Sequence, residues 1–350
     1  NPIIFLFRNA KIRALRILTN TRSITLIVFA VTFSGVFLSC CDSNQWKTSE
    51  ADAERLSQSD LSGSIEKRIL ALKQLSAAES NAANRKSELD INSRLVRQLL
   101  KARRFKEAES YSEKAVVIAE HLYGPDDPRI LPQVTQFYTV ERAVPNKART
   151  TELLFRMIAL QEKISGKDSV PVMWLLSSYA RSVSPACGEA LDLEKLRQLV
   201  RLRDKFSQHT EADALRDRLT YADCLSNTKS AEAYQSFEET LKIARSGCPK
   251  LVPLTLLRYA KPLDRKKLYA KSVPLLQEAF ELQGPGKNFH PVLTPQIASE
   301  YGFALESLNR KTQASAVYGA VAQHYKNTGE STNPYCVQFS NLQKKLLQDL

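Results

Sequence analysis

Apolar residues recur at helical spacing along residues 95–128, and this stretch sets the pattern for most of the chain. Its apolar or small positions lie three, four and seven residues apart, which is the spacing of one face of an α-helix. A short polar turn divides them into two stripes, and their members are Leu95, Val96, Leu99, Ala108, Tyr111, Ala115 and Ile118. The pattern predicts two amphipathic helices that need neighbours on both sides to bury their stripes.

The same pair of helices recurs about every 42 residues. Each repeat has a five-residue motif that begins with an anchor residue, mostly continues with a small residue and usually ends with an aliphatic one. The anchors are separated by 43, 41, 42, 38 and 42 residues, and they are Leu95, Tyr138, Tyr179, Tyr221, Tyr259 and Tyr301. A small residue where the second helix packs on the first forms another column: Ala108, Ala148, Ala190, Ala233, Ser272 and Ala314. Glycines at the expected ends of second helices agree with this period: Gly124, Gly166, Gly247 and Gly284.

The period predicts six helix pairs, at residues 86–123, 129–164, 170–207, 211–246, 251–283 and 292–327. A leading helix from Ser64 and a final helix after Pro334 are predicted to close the two ends, because terminal repeats need one polar outer face. Sustained alternation of β-branched residues is nearly absent, so the fold class is all-α. The solenoid is assigned to residues 63–333 and the capping helix to residues 334–350.

Pro262 falls inside the first helix of the fifth pair. A proline in a helix interior removes one backbone hydrogen bond and clashes with the preceding turn, at a cost of about 3 kcal/mol. The helix that begins near Leu251 is therefore expected to end early or to kink at Pro262, in agreement with the short interval of 38 residues before Tyr259.

The run RRFKEAESYSEKAVVIAEHLYGPDDPRIL resembles the kinesin-light-chain variety of tetratricopeptide repeat, in which an EAE core leads to a glycine-proline-acid loop. A looser copy of that loop contains Gly284, Pro285, His290, Pro291 and Val292. The resemblance covers residues 85–327, and the repeat around Ala190 departs from it most, since it lacks the EA pair and a terminal glycine. It implies a right-handed superhelical solenoid that binds peptides or proteins and has no catalytic residues.

In this architecture the first helices line the concave face and the tyrosine column packs in the core. The concave face forms a groove. Three positions of each first helix are expected to face this groove, namely the residue two places after the anchor and the residues two and five places before it. The candidate peptide-binding residues are Arg97, Gln133, Gln136, Trp174, Ser177, Arg181, Arg216, Lys261 and Gln296. Such a set suits an acidic or C-terminal peptide held by charge-assisted hydrogen bonds around one aromatic anchor, although ordinary solvated side chains would give the same pattern.

The start of the chain predicts an export signal or a membrane anchor at residues 1–39. Residues 1–22 hold five basic and no acidic residues, and residues 24–38 are an uninterrupted run of apolar or small uncharged residues. Fifteen residues are short for a bilayer span, which needs about 20, but they suit the apolar section of a signal. The segment Phe37-Leu38-Ser39-Cys40 resembles a bacterial lipobox, which implies lipidation at Cys40. An uncleaved anchor and an ordinary cleaved signal remain alternatives.

Residues 40–62 are polar and are predicted to form a flexible tether between this anchor and the solenoid. The protein is then expected in a bacterial cell envelope, anchored to the membrane on the periplasmic side. Without residues 1–39 the formal net charge falls from +13 to +8. The basic groups Arg103-Arg104 and Arg265-Lys266-Lys267 lie in predicted turns without interleaved aromatic residues, so no nucleic-acid partner is expected. An anionic membrane surface or peptidoglycan would attract the same charges.

Six cysteines and four histidines are the remaining candidates for chemistry. The histidines are far apart and no metal-binding, nucleotide-binding or nucleophile motif is present, so neither a metal nor a cofactor is expected. Cys187 and Cys224 are expected at the same edge of the solenoid and could form a disulfide in an oxidising compartment. Equally, Cys224 could be a small buried apolar residue and Cys187 a free thiol.

The sequence therefore favours a non-enzymatic scaffold or adaptor that binds a peptide or protein segment in its concave groove. The alternative is a solenoid-framed enzyme or glycan-processing factor of the envelope, with Glu141 or Glu306 acting near a histidine. A structural spacer is a third reading, for which a featureless concave face would argue. A homo-oligomer is compatible with each of these functions.

Overall fold

The structure, a computed structural model, describes residues 44–78, 81–144, 147–183, 190–207, 211–228 and 231–348. Within these ranges every regular element is a helix, in agreement with the predicted all-α class. The chain divides into two compact units, an N-terminal unit of residues 1–144 and a C-terminal unit of residues 145–350. The second predicted helix pair is divided between them, because its first helix belongs to the N-terminal unit and its second helix to the C-terminal unit.

The N-terminal unit contains five described α-helices, each packed against the next. They are α1 (Gln45–Leu56), α2 (Leu61–Ser76), α3 (Ala82–Lys101), α4 (Phe105–Tyr123) and α5 (Leu131–Ala143), with a 3-10 turn at Pro128–Ile130 before α5. The leading helix predicted from Ser64 is α2. Ile65 of α2 is buried against Leu95, Val96 and Leu99 of α3, so the stripe that defines the repeat is covered on this side.

The C-terminal unit contains ten described α-helices. They are α6 (Lys147–Ser165), α7 (Val170–Val183), α8 (Ala190–Phe206), α9 (Ala212–Asn227), α10 (Glu232–Gly247), α11 (Val252–Arg265), α12 (Tyr269–Gln283), α13 (Leu293–Ser307), α14 (Lys311–Asn327) and α15 (Pro334–Gln348), with a 3-10 turn at Pro249–Leu251. The first helices α7, α9, α11 and α13 also touch one another in sequence, as stacked helical hairpins require. The final helix begins at Pro334 as predicted, and its Phe339 is buried against Tyr318.

The tyrosine column occupies equivalent layers of the C-terminal unit. Each tyrosine meets a side chain of the preceding second helix. The Tyr259 ring stacks on Phe237 with 5.4 Å between centroids, and the Tyr221 hydroxyl accepts a hydrogen bond from Arg197 at 3.1 Å. The four partners, in order, are Phe155, Arg197, Phe237 and Phe280, at intervals of 42, 40 and 43 residues. These contacts confirm the period read from the sequence.

The turn between first and second helix has the same backbone conformation in three repeats. Arg103, Lys267 and Asn309 each lie eight residues after an anchor and have φ of 56°, 59° and 59°. In each turn the following N–H donates to a carbonyl five residues earlier, at 2.8–2.9 Å, as in a Schellman cap. Glycine is the usual residue at such a position, because a Cβ is unfavourable in the left-handed region.

Replacing Arg103 with glycine is therefore expected to stabilise the N-terminal unit, by about 0.5–1 kcal/mol. Asn309→Gly is the matched control and should gain less, because asparagine tolerates the left-handed region better than arginine does. Urea unfolding of the two variants beside the native protein measures both effects. A gain at position 309 equal to or above that at position 103 would contradict the explanation.

Gly302, directly after the anchor Tyr301, permits close packing of α13 on α14. A Cβ on Gly302 would lie 2.2 Å from two carbon atoms of the Tyr318 ring. That ring is buried, and its hydroxyl donates to Glu306 at 2.7 Å, so it has little freedom to move.

Gly302→Ala is consequently expected to destabilise the C-terminal unit by about 1–3 kcal/mol through overpacking. Helix propensity alone predicts the opposite sign, a gain of about 1 kcal/mol. Thermal unfolding decides between them, since a raised Tm would exclude the clash. Adding the same change to a Tyr318→Leu background tests the cause, because there the alanine should cost much less.

Pro262 was expected to end its helix early or to kink it. It does not end α11, which continues to Arg265, and a second proline, Pro274, lies inside α12. Burial of Leu256, Leu257 and Leu263 on the same helix outweighs the lost backbone hydrogen bond.

The predicted flexible tether at residues 40–62 is also wrong in part, because Gln45–Leu56 is helix α1 and α2 begins at Leu61. Polar contacts hold α1 on α2: Arg68, 2% exposed, donates to Glu50 at 3.1 Å and also to Glu54, and Ser49 donates to Gln74 at 2.8 Å. The apolar contribution of α1 comes mainly from Trp46 and Ala53, which is too few residues for a recognisable stripe, so the pattern did not reveal the helix.

The predicted signal or anchor at residues 1–39 and the lipidation site Cys40 lie outside the described residues. Among the helices that the structure does describe, none combines the length and the apolar character needed to cross a bilayer. Cys224 is fully buried and disulfide-bonded, whereas Cys248 and Cys336 are free. Its predicted partner Cys187 also lies outside the described residues, so the Cys187–Cys224 pairing stays a prediction.

Candidate functional site

The nine candidate groove residues all lie on first helices, but their surroundings differ. In the N-terminal unit Arg97 of α3 is exposed. On α5, Gln133 is half-buried and Gln136 donates to the Ser93 carbonyl at 2.7 Å. Gln136 is therefore engaged in joining α5 to α3, which leaves Arg97 as the most accessible of the three.

In the C-terminal unit Ser177 is fully buried and does not reach the surface. Its hydroxyl accepts hydrogen bonds from Arg203 at 3.1 Å and Arg181 at 2.9 Å, and it donates to Asp217 at 3.2 Å. Trp174 is 52% exposed, and the Arg203 guanidinium lies 5.0 Å from its ring centroid. Trp174 and Arg181 thus form the surface of a buried polar network.

The remaining candidates, Arg216, Lys261 and Gln296, are exposed on α9, α11 and α13. Arg216 is paired with Asp213 on its own helix at 3.1 Å. Of the nine candidates, Lys261 is the one that lines a cavity of about 590 Å³ formed by α9, α11, α13 and the turn into α12. The other lining residues are Asp223, Asn227, Arg258, Asp264, Arg265, Lys267, Tyr269, Glu300 and Phe303.

The repeat explains why this cavity forms. Asp223, Lys261 and Phe303 occupy one position, two residues after the anchors Tyr221, Tyr259 and Tyr301. Three successive first helices therefore bring an acid, a base and an aromatic ring to the same wall. The sequence predicted this shared face, and Asp223 and Phe303 show that its chemistry is mixed rather than basic.

Charged side chains across the wall pair between neighbouring helices. Arg258 of α11 donates to Asp223 of α9 at 2.7 Å. Arg265 donates to the Asn227 side chain at 2.7 Å and to the Ser226 hydroxyl at 2.9 Å. These contacts fix α11 on α9 and hold both guanidinium groups in place.

The other side of the wall joins α11 to α13 and carries the aromatic residues. The Lys261 ammonium lies 3.9 Å from a carboxylate oxygen of Glu300, a loose ion pair between half-exposed groups. Phe303 is 52% exposed, and its ring meets Tyr269 edge to face with 5.9 Å between centroids. An aromatic surface in an open, charged cavity is suited to anchoring a ligand with an apolar part.

Asp264 is the most deeply buried acid of the cavity, with 8% of the residue exposed. One carboxylate oxygen accepts a hydrogen bond from the Ser272 hydroxyl, whereas the other, Oδ2, is buried and has no hydrogen-bond partner. Burial raises the pKa of Asp264 to about 6, above its ordinary 3.8. Sequence reasoning missed this residue, and the available signal was Ser272, the one member of the small-residue column that is not alanine.

Among the described residues, no group of three or more His, Cys, Asp or Glu side chains is placed to hold a metal ion. Of the acids considered for an enzyme, Glu306 accepts a hydrogen bond from Tyr318, and Glu141 is buried in α5. His290 caps α13, since its Nδ1 accepts from the N–H groups of Val292 and Leu293 at 3.2 and 3.1 Å, and His324 stacks on Phe289. Both histidines thus have structural contacts.

The described helices form stacked hairpins of about 42 residues, with an aromatic anchor on the first helix and a small residue on the second, which is the all-α solenoid fold that the resemblance to tetratricopeptide repeats implied. A scan against family models finds no match, and a search of characterised sequences finds none either.

Several solved structures follow a similar course of helices. A kinesin light chain of nearly identical tetratricopeptide-like repeats from Podosopora anserina is 16% identical, with a TM-score of 0.43 over 57% of this chain and 95% of its own. The assembly chaperone of RpL4, Acl4, is 13% identical, with a TM-score of 0.44 over 76% of this chain and 97% of its own. The yeast Sti1 TPR2AB domain, solved with an HSP90 segment, is 10% identical, with a TM-score of 0.33 over 87% of this chain and 98% of its own.

Proposed function

We propose that the C-terminal unit is a non-enzymatic interaction module that binds a polypeptide segment in the cavity formed by α9, α11 and α13. The single observation that carries this proposal is the exposed Phe303 in a wall of alternating charges contributed by three successive helices. An extended segment crossing these helices would meet an aromatic anchor and polar groups spaced by the repeat. The cavity is open and mixed in charge, which favours recognition of a chain over enclosure of a reacting substrate.

Photo-crosslinking from the cavity tests this function. A benzoylphenylalanine replaces Phe303 in the full chain, and a matched variant carries it at Leu282, an exposed apolar residue of the second helix α12. Irradiation is expected to give adducts at position 303 that mass spectrometry assigns to a defined segment of another polypeptide. Absence of such adducts, or the same adducts from position 282, would overturn the proposal.

We further propose that the chain is held at the membrane through lipid on Cys40. The support is the sequence alone: the basic start, the apolar run and the Leu38-Ser39-Cys40 segment. Labelling of expressing cells with a fatty-acid analogue should mark the native protein and leave Cys40→Ser unmarked. Membrane association without label would indicate an uncleaved anchor, and release without label would indicate an ordinary signal.

A further inference from the structure

The cavity contains a buried carboxylate that lacks a hydrogen-bond donor. The Asp264 Oδ2 atom has no partner, and none of the ion pairs among the described residues includes Asp264. A buried acceptor without a donor is costly, and a buried carboxylate without a counter-charge more so. A ligand that supplies both a donor and a positive charge would remove that cost.

The arrangement around Asp264 is specific to this repeat. Ser272 stands where the other five repeats have alanine, and its hydroxyl donates to the Asp264 carboxylate. Asp264 lies eight residues before Ser272. At the equivalent position, eight residues before the small residue of the second helix, the other five repeats have Leu100, Val140, Ser182, Leu225 and Glu306. The sixth repeat also has an acid at this position, Glu306, but only the repeat of Asp264 has a serine at the small position to bond with it. Ser272 occupies one oxygen and leaves the second one unsatisfied.

Three of the four basic residues that line the wall are engaged elsewhere, and the fourth, Lys267, is exposed and does not bond to Asp264 Oδ2. Arg258 is bonded to Asp223, and Arg265 uses two nitrogen atoms for Asn227 and Ser226. Lys261 lies beside Glu300. The missing donor for Asp264 is therefore not supplied by these three cations, although they line the same cavity.

We propose that the cavity has a subsite for a lysine side chain of the bound segment, whose ammonium donates to Asp264 Oδ2 once the side chains that cover this atom in the unbound chain move aside. The inference rests on the polypeptide-binding function proposed above and names the chemistry of the bound chain. The exposed face of Phe303, with Tyr269 beside it, packs against the apolar stem and attracts the positive charge. Glu300, on the same wall, adds a second negative charge.

Lysine fits this subsite better than arginine because of the number of free oxygens. A guanidinium forms its strongest contact when two N–H groups meet both oxygens of one carboxylate. In Asp264 the oxygen Oδ1 already accepts from Ser272, which uses one of its two lone pairs and makes the paired geometry less favourable. A compact ammonium group can bind a single carboxylate oxygen through one N–H donor and does not need both oxygens of the same carboxylate.

The test uses the full chain and three small probes that reproduce side-chain ends: n-butylammonium, n-butylguanidinium and butanoate. In NMR titrations at pH 7, n-butylammonium is expected to shift the amide signals of residues 264, 272 and 303 saturably, with a Kd of roughly millimolar order. n-Butylguanidinium should bind several-fold more weakly. Butanoate should leave these signals unchanged.

Asp264→Asn keeps the shape and an acceptor for Ser272, and it is expected to weaken n-butylammonium binding at least about tenfold. Asp213→Asn, an exposed acid of α9 outside the cavity, is the matched control and should bind like the native chain. Equal affinity of the native chain and Asp264→Asn would overturn the lysine subsite. Stronger binding of butanoate than of n-butylammonium would also overturn it and would indicate an acidic segment.

The two proposals fail separately. If residue 303 crosslinks to a defined polypeptide segment while the probes show no preference for ammonium, the interaction function stands and the lysine subsite is wrong. If no polypeptide crosslinks at residue 303, the function itself is wrong, whatever the probes show.

Discussion

Replacement of Asp217 by alanine is expected to destabilise the C-terminal unit by about 3–5 kcal/mol, because it leaves buried Arg203 with only the exposed carboxylate of Glu211, 4.0 Å away, as a counter-charge. Arg203 is 1% exposed and donates through Nε to Asp217 at 2.9 Å. The Ser177 hydroxyl binds both side chains, so α7, α8 and α9 meet at one polar centre. Burial of the carboxyl raises the pKa of Asp217, and Arg203 opposes that rise.

Chemical denaturation followed by circular dichroism measures this loss. Asp213→Ala is the control on the same helix, because its ion pair with Arg216 is exposed on both sides and should contribute no more than about 1 kcal/mol. The double variant Arg203→Met, Asp217→Leu should recover much of the stability, since neither partner is then left charged and buried. The account would be wrong if Asp217→Ala and Asp213→Ala unfolded at the same denaturant concentration.

Asp264→Asn is expected to gain stability relative to the native chain as the pH rises from about 4 to 7. The folded pKa of Asp264, about 6, lies above the ordinary 3.8, so the folded state holds this proton more tightly. Its contribution to stability is then complete below about pH 4 and is lost as the pH rises through about 6. Asparagine stays neutral throughout, and the difference between the two chains should grow by at most about 3 kcal/mol.

Unfolding curves at several pH values between 4 and 7 test this expectation. Asp213→Asn, which changes an exposed acid outside the cavity, is measured again as the matched variant at each pH. A constant difference between Asp264→Asn and the native protein would show that Asp264 titrates in the same range whether folded or unfolded. That outcome would also show that ionisation of the Asp264 carboxyl does not destabilise the folded state.

The repeat could be predicted well because each hairpin buries the same positions. The tyrosines from Tyr179 to Tyr301 meet side chains that are themselves 40–43 residues apart, as their period required. Five predicted helix pairs match α3–α4, α7–α8, α9–α10, α11–α12 and α13–α14 to within a few residues. Helix α1 could not be found in this way, since Trp46 and Ala53 are too few apolar residues for a recognisable stripe.

The candidate site was predicted less completely. The rule that residues two after an anchor share one face agrees with the lining of one cavity by Asp223, Lys261 and Phe303, whereas ligand binding at Lys261 stays a prediction. The same reasoning failed for Ser177, two residues before its anchor, because a small polar residue at the same helical angle can turn inward when a buried arginine supplies its hydrogen bond. The spacing of residues along a helix predicts the direction of each Cα–Cβ bond. It does not predict how far a neighbouring helix buries the side chain.

By itself the sequence determined the all-helical class, the period and the shared face of the first helices, because all three depend on regular spacing within one chain segment. Only the tertiary structure decided that Asp264 and Ser272 bond to each other, that Arg203 is buried against Asp217, and that Pro262 is tolerated within α11. The reason is that burial and pairing depend on atoms from several helices at once. Their free energies can exceed the local preferences that a linear pattern records.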